Sequence, residues 1–257
     1  MKIHFIGIGG IGISALAKYY IVKGHKISGS DLTSSEIIIA LKEQGAKITI
    51  GRHNKENVPA DAQLVVYSPA VSQDNPELIA ARKKDVQCQT YPEALGELTK
   101  KYFTIAVAGT HGKSTTTAML GLILTKAKLD PTVIVGTRVK EFDNSNCRVG
   151  ESKYLIIEAD EHFASFLNYW PKIIVLTTVE KEHLDYYKNL KTIKNTYKEF
   201  LKHIPVYSDN FTGVIANKDD GLVYRIVSDL KKYYPIRVKW YSQSQKEAQK
   251  IKKIIKI

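Results

Sequence analysis

Apolar positions along the chain fall into two alternating patterns. Short unbroken runs end at glycine or at a polar residue, and longer stretches repeat apolar residues every three or four positions. The first pattern predicts buried strands and the second predicts helices. Lys2–Ile6 is the first such strand. A helix follows over Ile11–Lys23 and stops at Gly24, a residue suited to ending one. His25–Gly29 is a second strand, and Ser34–Gln44 is a helix closed by Gly45. Lys47–Ile50 and Leu64–Tyr67 are further strands. Asn75–Lys84 is a helix opened by Pro76, and Pro92–Lys101 is a helical connector.

The pattern then restarts. Phe103–Ala108 is a strand, followed by a glycine turn and a helix from about Lys113 to Lys126. Thr132–Val135, Tyr154–Glu158 and Lys172–Thr177 are strand candidates. Leu190–His203 is a helix and Gly213–Ala216 a short strand. Residues 233–240 continue from helix to strand. Strand–helix alternation of this kind predicts parallel α/β architecture, and the restart predicts a domain boundary near residue 100.

Composition narrows the function classes. With 257 residues, 44% of them hydrophobic, the chain has enough apolar content for a packed core, which excludes whole-chain disorder. No apolar stretch approaches the roughly 20 residues that span a bilayer, so membrane insertion is not expected. The start lacks the pattern of a signal peptide. Two cysteines, Cys88 and Cys147, are too few for a disulfide framework and suit the cytoplasm. The net charge of +12 suggests an acidic partner or a lysine-rich surface. Residues 221–257 carry ten basic and two acidic residues, so +8 of that charge lies beyond every motif described below. Nucleic acid is therefore not an expected partner.

Two glycine turns carry candidate chemistry. Gly7-Ile8-Gly9-Gly10-Ile11-Gly12 fits G-x-G-x-x-G between a strand and a helix. Its glycines allow a tight turn, close approach to a diphosphate and close helix packing, and the helix N-terminus favours an anion. Asp31, at the end of the second strand, suits a ribose hydroxyl. The motif fits a dinucleotide or a UDP-sugar. The second turn is Gly109-Thr110-His111-Gly112-Lys113-Ser114-Thr115. Its glycines let amides face phosphate oxygens, Lys113 suits the β- and γ-phosphates, and the Ser114 hydroxyl suits Mg²⁺. Val107 stands where the strict phosphate-loop pattern has its first glycine. Glu158, Asp160 and Glu161 crowd three carboxylates at the end of a strand, an arrangement that favours a cation. A nicotinamide oxidoreductase would use the first turn and Asp31 but leaves the second turn unexplained.

The wording of these segments resembles the Mur ligase family. The second turn is similar to that family's nucleotide loop, Gly-Thr-x-Gly-Lys-[Ser/Thr]. Residues 3–12 with Gly29-Ser30-Asp31, then Glu158-Ala159-Asp160-Glu161, Ser165-Phe166-Leu167 and His183-Leu184-Asp185-Tyr186-Tyr187, follow in family order. The sequence departs from the family's wording at Thr178 (usually Asn), Lys181 (Pro), Glu182 (Asp) and His162-Phe163 (Ser-Asp). Tyr197 stands where several members carry a carbamylated lysine.

The resemblance implies an N-terminal Rossmann-like domain over 1–99 that binds a UDP-sugar, followed by a P-loop α/β central domain over 100–257 that binds ATP and is incomplete at its C-terminal end. It implies an ATP-dependent, amide-forming ligase of peptidoglycan precursor synthesis. ATP would phosphorylate the lactyl carboxylate of UDP-N-acetylmuramic acid, and L-alanine would attack the acyl phosphate. A ligase of cell-wall recycling that joins a peptide instead, or a binding module that needs a separate polypeptide, are the alternatives. Implied site residues are Lys113, Glu158 and His183 for catalysis, and Ser114, Glu158 and His183 for Mg²⁺. Gly109, Thr110, His111, Gly112, Lys113, Ser114 and Thr115 would bind ATP. Gly9, Gly10, Gly12, Asp31, Ser68 and His111 would bind the UDP-sugar. His4, His25, His53, His162 and His203 share no spacing and read as structural or surface groups. Complete members of the family have a third domain, so the chain is expected to be a fragment, half of a split enzyme or a genuinely short protein. The tail Lys246–Ile257 reads as a basic amphipathic helix or a solvated end.

Overall fold

Strand β1 (Lys2–Ile6) is buried at four of its five positions, because it lies at the centre of a sheet. The computed structural model describes residues 1–181, 186–206 and 211–243. The Lys246–Ile257 tail lies outside them. By compactness the chain forms two units. Met1–Leu98 with Gly121–Ser152 is the first, and Thr99–Leu120 with Lys153–Ile257 the second.

The first unit is built on a five-stranded sheet, all parallel, in the order β3-β2-β1-β4-β5. Its other strands are β2 (Lys26–Asp31), β3 (Lys47–Ile50), β4 (Leu64–Tyr67) and β5 (Gln87–Thr90). Helices α1 (Ile11–Val22), α2 (Glu36–Glu43) and α3 (Pro76–Lys83) connect them, and α4 (Tyr91–Lys101) follows. The strand order reverses between β1 and β4, and crevices for ligands form at such switch points. Strand β5 departs from the sequence expectation, since Gln87-Cys88-Gln89-Thr90 has no apolar run. It is an edge strand, paired with β4 alone, so it need not be apolar on both faces.

The chain continues through β6 (Phe103–Ala108) and α5 (Lys113–Lys126), and the boundary between the units falls within that helix. Strands β7 (Thr132–Val139) and β8 (Ser145–Arg148) form an antiparallel pair in the first unit and pack on α1. Helix α1 is accordingly apolar on more than one side, with Ile13, Ala15, Leu16, Ala17 and Tyr19 all buried. The Asn146 amide on β8 donates to the Ser14 hydroxyl at 2.9 Å and to the Ile11 carbonyl.

The second unit holds β9 (Tyr154–Ala159), β10 (Ile173–Leu176), α6 (Leu190–Leu201), β11 (Gly213–Asn217), α7 (Gly221–Lys231) and β12 (Val238–Tyr241). Within it five parallel strands run in the order β12-β11-β10-β6-β9. Helix α7 buries Val223, Ile226, Val227 and Leu230, and the Asp220 carboxylate caps it by accepting from the Leu222 and Val223 amides. No helix among the described residues is long and apolar enough to cross a membrane.

A buried carboxylate ties the first sheet to α3. Glu77 is fully buried at the start of that helix. It accepts from the Ser30 hydroxyl at 2.6 Å and from the Asn57 amide at 2.7 Å, and it meets His4 Nε2 and His53 Nδ1, each at 3.0 Å. Burial alone would push its pKa up. The hydrogen bonds from His4, Ser30, Asn57 and His53 outweigh it and hold the group down at about 2. A depressed folded-state pKa means stability that is present above the unfolded value and lost as pH falls toward the folded one. The shift corresponds to about 3 kcal/mol. The urea midpoint is therefore expected to fall between pH 4.5 and pH 2, and Glu77→Gln should flatten that fall. A variant with the wild-type acid profile would refute the assignment.

Candidate functional site

The second unit's candidate site is set by strand register. Ala108 pairs with Ala159 on one side and with Leu176 on the other, so the carboxyl ends of β6, β9 and β10 lie at one level. Ligands of parallel α/β sheets bind at that edge. The turn after β6 is held from β10's side. Thr110 N donates to Thr178 O at 2.7 Å, and His111 N to the Thr178 hydroxyl at 3.0 Å. The Thr177 hydroxyl donates to His111 O at 2.7 Å. Thr178, where the family usually has Asn, thus serves as acceptor for the loop. Gly109 adopts φ +136°, and a Cβ there would meet the Thr177 hydroxyl and Thr178 backbone. Gly112 adopts φ +78° with open space beside it.

Lys113 opens α5 and turns back over the loop. Its ammonium donates to Gly109 O at 2.7 Å and Thr110 O at 3.3 Å, and it pairs with Glu161 at 2.9 Å. Glu161 is almost wholly buried. Burial raises its pKa, and the Lys113 charge works against that rise. The Ser114 hydroxyl donates to Glu158 Oε1 at 3.0 Å. A hydroxyl and a carboxylate so placed are hard oxygen donors of the kind Mg²⁺ takes, and Glu158 at the end of β9 fits that role. Thr115 follows on the first turn of α5. Asp160 is exposed, and its carboxylate accepts from His162 N at 3.2 Å. The His111 side chain is exposed and lies 3.6 Å from Glu180. His183 lies outside the described residues. Among the described residues no group of three or more His, Cys, Asp or Glu is arranged to hold a metal.

Behind Glu161 stands an aromatic wall. The Tyr187 hydroxyl donates to Glu161 O. Tyr197 has a buried hydroxyl with no hydrogen-bond partner among the described residues. Burial and the nearby Glu161 both push its pKa up. Phe163 and Ala164, next along the chain from His162, adopt left-handed φ values of 52° and 53°.

The first unit's candidate site is a cleft of about 760 Å³ at the β1/β4 switch point. Gly7, Gly9, Gly10, Asp31 and Ser68 line it, together with Arg52, His53 and Asp74. Asp31 accepts from Gly9 N at 2.8 Å, so this carboxylate braces the turn itself. Gly12 instead faces α4, where a Cβ would come within 2.8 Å of the Tyr91 ring. Arg52 and His53 carry no sequence signal beyond their polarity. The convergence of His4, Ser30, His53 and Asn57 on Glu77 joins residues 20 to 73 positions apart, which no local spacing reveals.

The two loop glycines differ in what a side chain would meet. Gly109→Ala is expected to cost more than about 2 kcal/mol, from both backbone strain and overlap. Gly112→Ala should cost about 1 kcal/mol, from backbone strain alone. Urea unfolding of both variants reads the difference, and equal losses would contradict the geometry described here.

Comparison with known proteins covers both units of the chain. Residues 2–103 match the Mur ligase family catalytic domain, and residues 107–256 match the Mur ligase middle domain. A protein of Clostridium botulinum named UDP-N-acetylmuramate–L-alanine ligase is 50% identical over 228 residues, covering 88% of this chain and 48% of that protein. The Aquifex aeolicus protein of the same name is 44% identical over 226 residues, again covering 88% and 48%. The chain thus spans about half the length of these relatives. The crystal structure of the Thermotoga maritima UDP-N-acetylmuramate-alanine ligase superposes with a TM-score of 0.78 at 30% identity, covering 88% of this chain and 51% of that one. The Neisseria meningitides ligase for UDP-N-acetylmuramate and L-alanyl-γ-D-glutamyl-meso-diaminopimelate shares the fold with a TM-score of 0.82 at 23% identity, covering 93% and 77%. Matched by two of the family's models, over residues 2–103 and 107–256, the chain belongs to the Mur ligase family.

Proposed function

We propose that this chain carries the UDP-sugar-binding and ATP-binding parts of a ligase that joins L-alanine to UDP-N-acetylmuramic acid in peptidoglycan precursor synthesis. The observation that carries the reading is the alignment of Lys113, Ser114 and Glu158 at one sheet edge, in a chain half identical to relatives of that name. The domain boundary near residue 100 belongs to the same reading. Cys88 and Cys147 are both free thiols, and burial pushes Cys147 up to about 12, which accords with a cytoplasmic place.

In this reading a carboxylate needs a better leaving group before an amine can displace it. The γ-phosphoryl of ATP passes to the lactyl carboxylate oxygen, and ADP leaves. The L-alanine nitrogen then bonds to the acyl carbon, phosphate departs, and the nitrogen loses a proton. Catalysis of this kind is positioning and charge neutralisation. Thr110 N and His111 N are held by Thr178, so the amides of Gly112 and of the first turn of α5 would face the phosphates, and Lys113 would leave Glu161 to meet them. Mg²⁺ would neutralise phosphate charge. Ser114 and Glu158 would hold it, with His183 as the further ligand. Thr115 would continue the phosphate contacts, and His111 would face the substrates from the exposed side of the loop. Gly9, Gly10, Gly12, Asp31 and Ser68 would form or brace the UDP-sugar site. A second reading keeps both sites as binding modules that turn over only with a separate polypeptide. The half-length match favours testing it.

Lys113→Ala should weaken ATP binding at least roughly tenfold while leaving UDP-N-acetylmuramic acid affinity unchanged. Glu161→Gln removes the competitor for Lys113, so ATP should bind about threefold to tenfold more tightly. Titration calorimetry with Mg²⁺ present checks both, and unchanged ATP affinity in both variants would sink the loop assignment. L-alanine-dependent phosphate release by the chain alone separates the ligase from the two-polypeptide reading.

A further inference from the structure

The first unit's cleft contains an arginine and a histidine that the glycine motif does not account for. Arg52 and His53 follow β3 in the chain and line the same cleft as Gly7, Gly9 and Gly10. The glycine turn itself is short of donors. Gly7 N and Ile8 N both donate to Ser30 O, at 2.9 and 3.1 Å. Gly9 N is taken by Asp31 and Gly10 N by Gly7 O at 3.3 Å. Only the first-turn amides of α1 remain for a ligand, and Asp31 and Asp74 add negative charge to the cleft. A dianionic ligand there needs hydrogen-bond donors from elsewhere.

Glu77 prepares one of them. Both of its oxygens are engaged within the protein, so it is not itself a ligand group. A carboxylate only accepts, which makes His53 Nδ1 the donor of their 3.0 Å contact and turns Nε2 to other use. Nε2 has no hydrogen-bond partner among the described residues, and the His53 side chain is 16% exposed at the cleft. Arg52 likewise makes no hydrogen bond or ion pair among the described residues. An arginine fork together with an imidazole that carries both ring protons when the ligand is bound, Nδ1 donating to Glu77 and Nε2 to the ligand, recognises phosphate oxygens.

Resting on the UDP-sugar reading of this cleft, we propose that Arg52 and His53 form a clamp for the diphosphate of the nucleotide-sugar, with Glu77 positioning His53. The clamp supplies the charge that the occupied glycine-turn amides do not.

The test is calorimetry of the full chain with two probes, UDP and uridine. The wild type is expected to prefer UDP by at least roughly tenfold. Arg52→Gln and His53→Gln should each lose most of that preference while holding uridine affinity within about twofold. Glu77→Gln should shift the UDP-to-uridine ratio in the same direction, which loss of general stability would not do. Arg52 is exposed, so Arg52→Gln keeps the test open where Glu77→Gln fails to fold. Wild-type ratios in Arg52→Gln and His53→Gln, with wild-type UDP binding intact, would overturn the clamp and leave the UDP-sugar reading standing. Failure of the wild-type chain to bind either probe would overturn that reading, and the clamp with it.

Discussion

Parallel strand register is the constraint on which the second unit's chemistry depends. Pairing Ala108 with both Ala159 and Leu176 brings three loop starts to one edge of the sheet. From there Gly109 can pack against Thr177 and Thr178, and Ser114 can meet Glu158. A one-residue slip of β9 would turn Glu158 to the other face of the sheet and take it from Ser114. The apolar runs Ile105-Ala106-Val107 and Leu155-Ile156-Ile157 fix that register by burial on both faces. Core packing and site geometry are therefore one and the same requirement here.

Much of this architecture was legible in the sequence, and the reasons differ by element. Strands β1, β4, β6, β9 and β10 are apolar runs because both faces are covered. The helices that end at Gly24 and Gly45 carry their own stop signals. Strands β5 and β8 escaped because Gln87–Thr90 and Ser145–Arg148 are polar segments. Their pairing comes from neighbours rather than from their own pattern. Helix α7 was not singled out in the sequence, and the helix-to-strand run expected over 233–240 is a turn followed by β12, because the helix has already ended at Lys231.

The sites divide in the same way. Glycine turns advertise themselves through local wording, so the two turns and Asp31 could be named in advance. Ion pairs that cross the fold do not. Lys113 and Glu161 lie 48 positions apart, and Glu77 meets His4 over 73. The His53 ring, which shared no spacing with other histidines, is joined to His4 only through Glu77. The left-handed Phe163 and Ala164 are equally silent in sequence. Such backbone costs of order 1–3 kcal/mol per residue, and it is held by Ala164 N on Glu161 O and Phe166 N on Asp160 O.

The Lys113–Glu161 pair also sets a threshold for what enters the loop. An arriving anion must offer the ammonium more than a nearly buried carboxylate already does, and it must leave Glu161 with its charge uncompensated or drive it to take up a proton. A singly charged anion, chloride for instance, gains too little from one contact to displace that partner. A polyphosphate spreads several charges over the first-turn amides of α5 and Lys113 together, and so clears the threshold. The resting ion pair thus sets a minimum charge on whatever ligand is to draw Lys113 away.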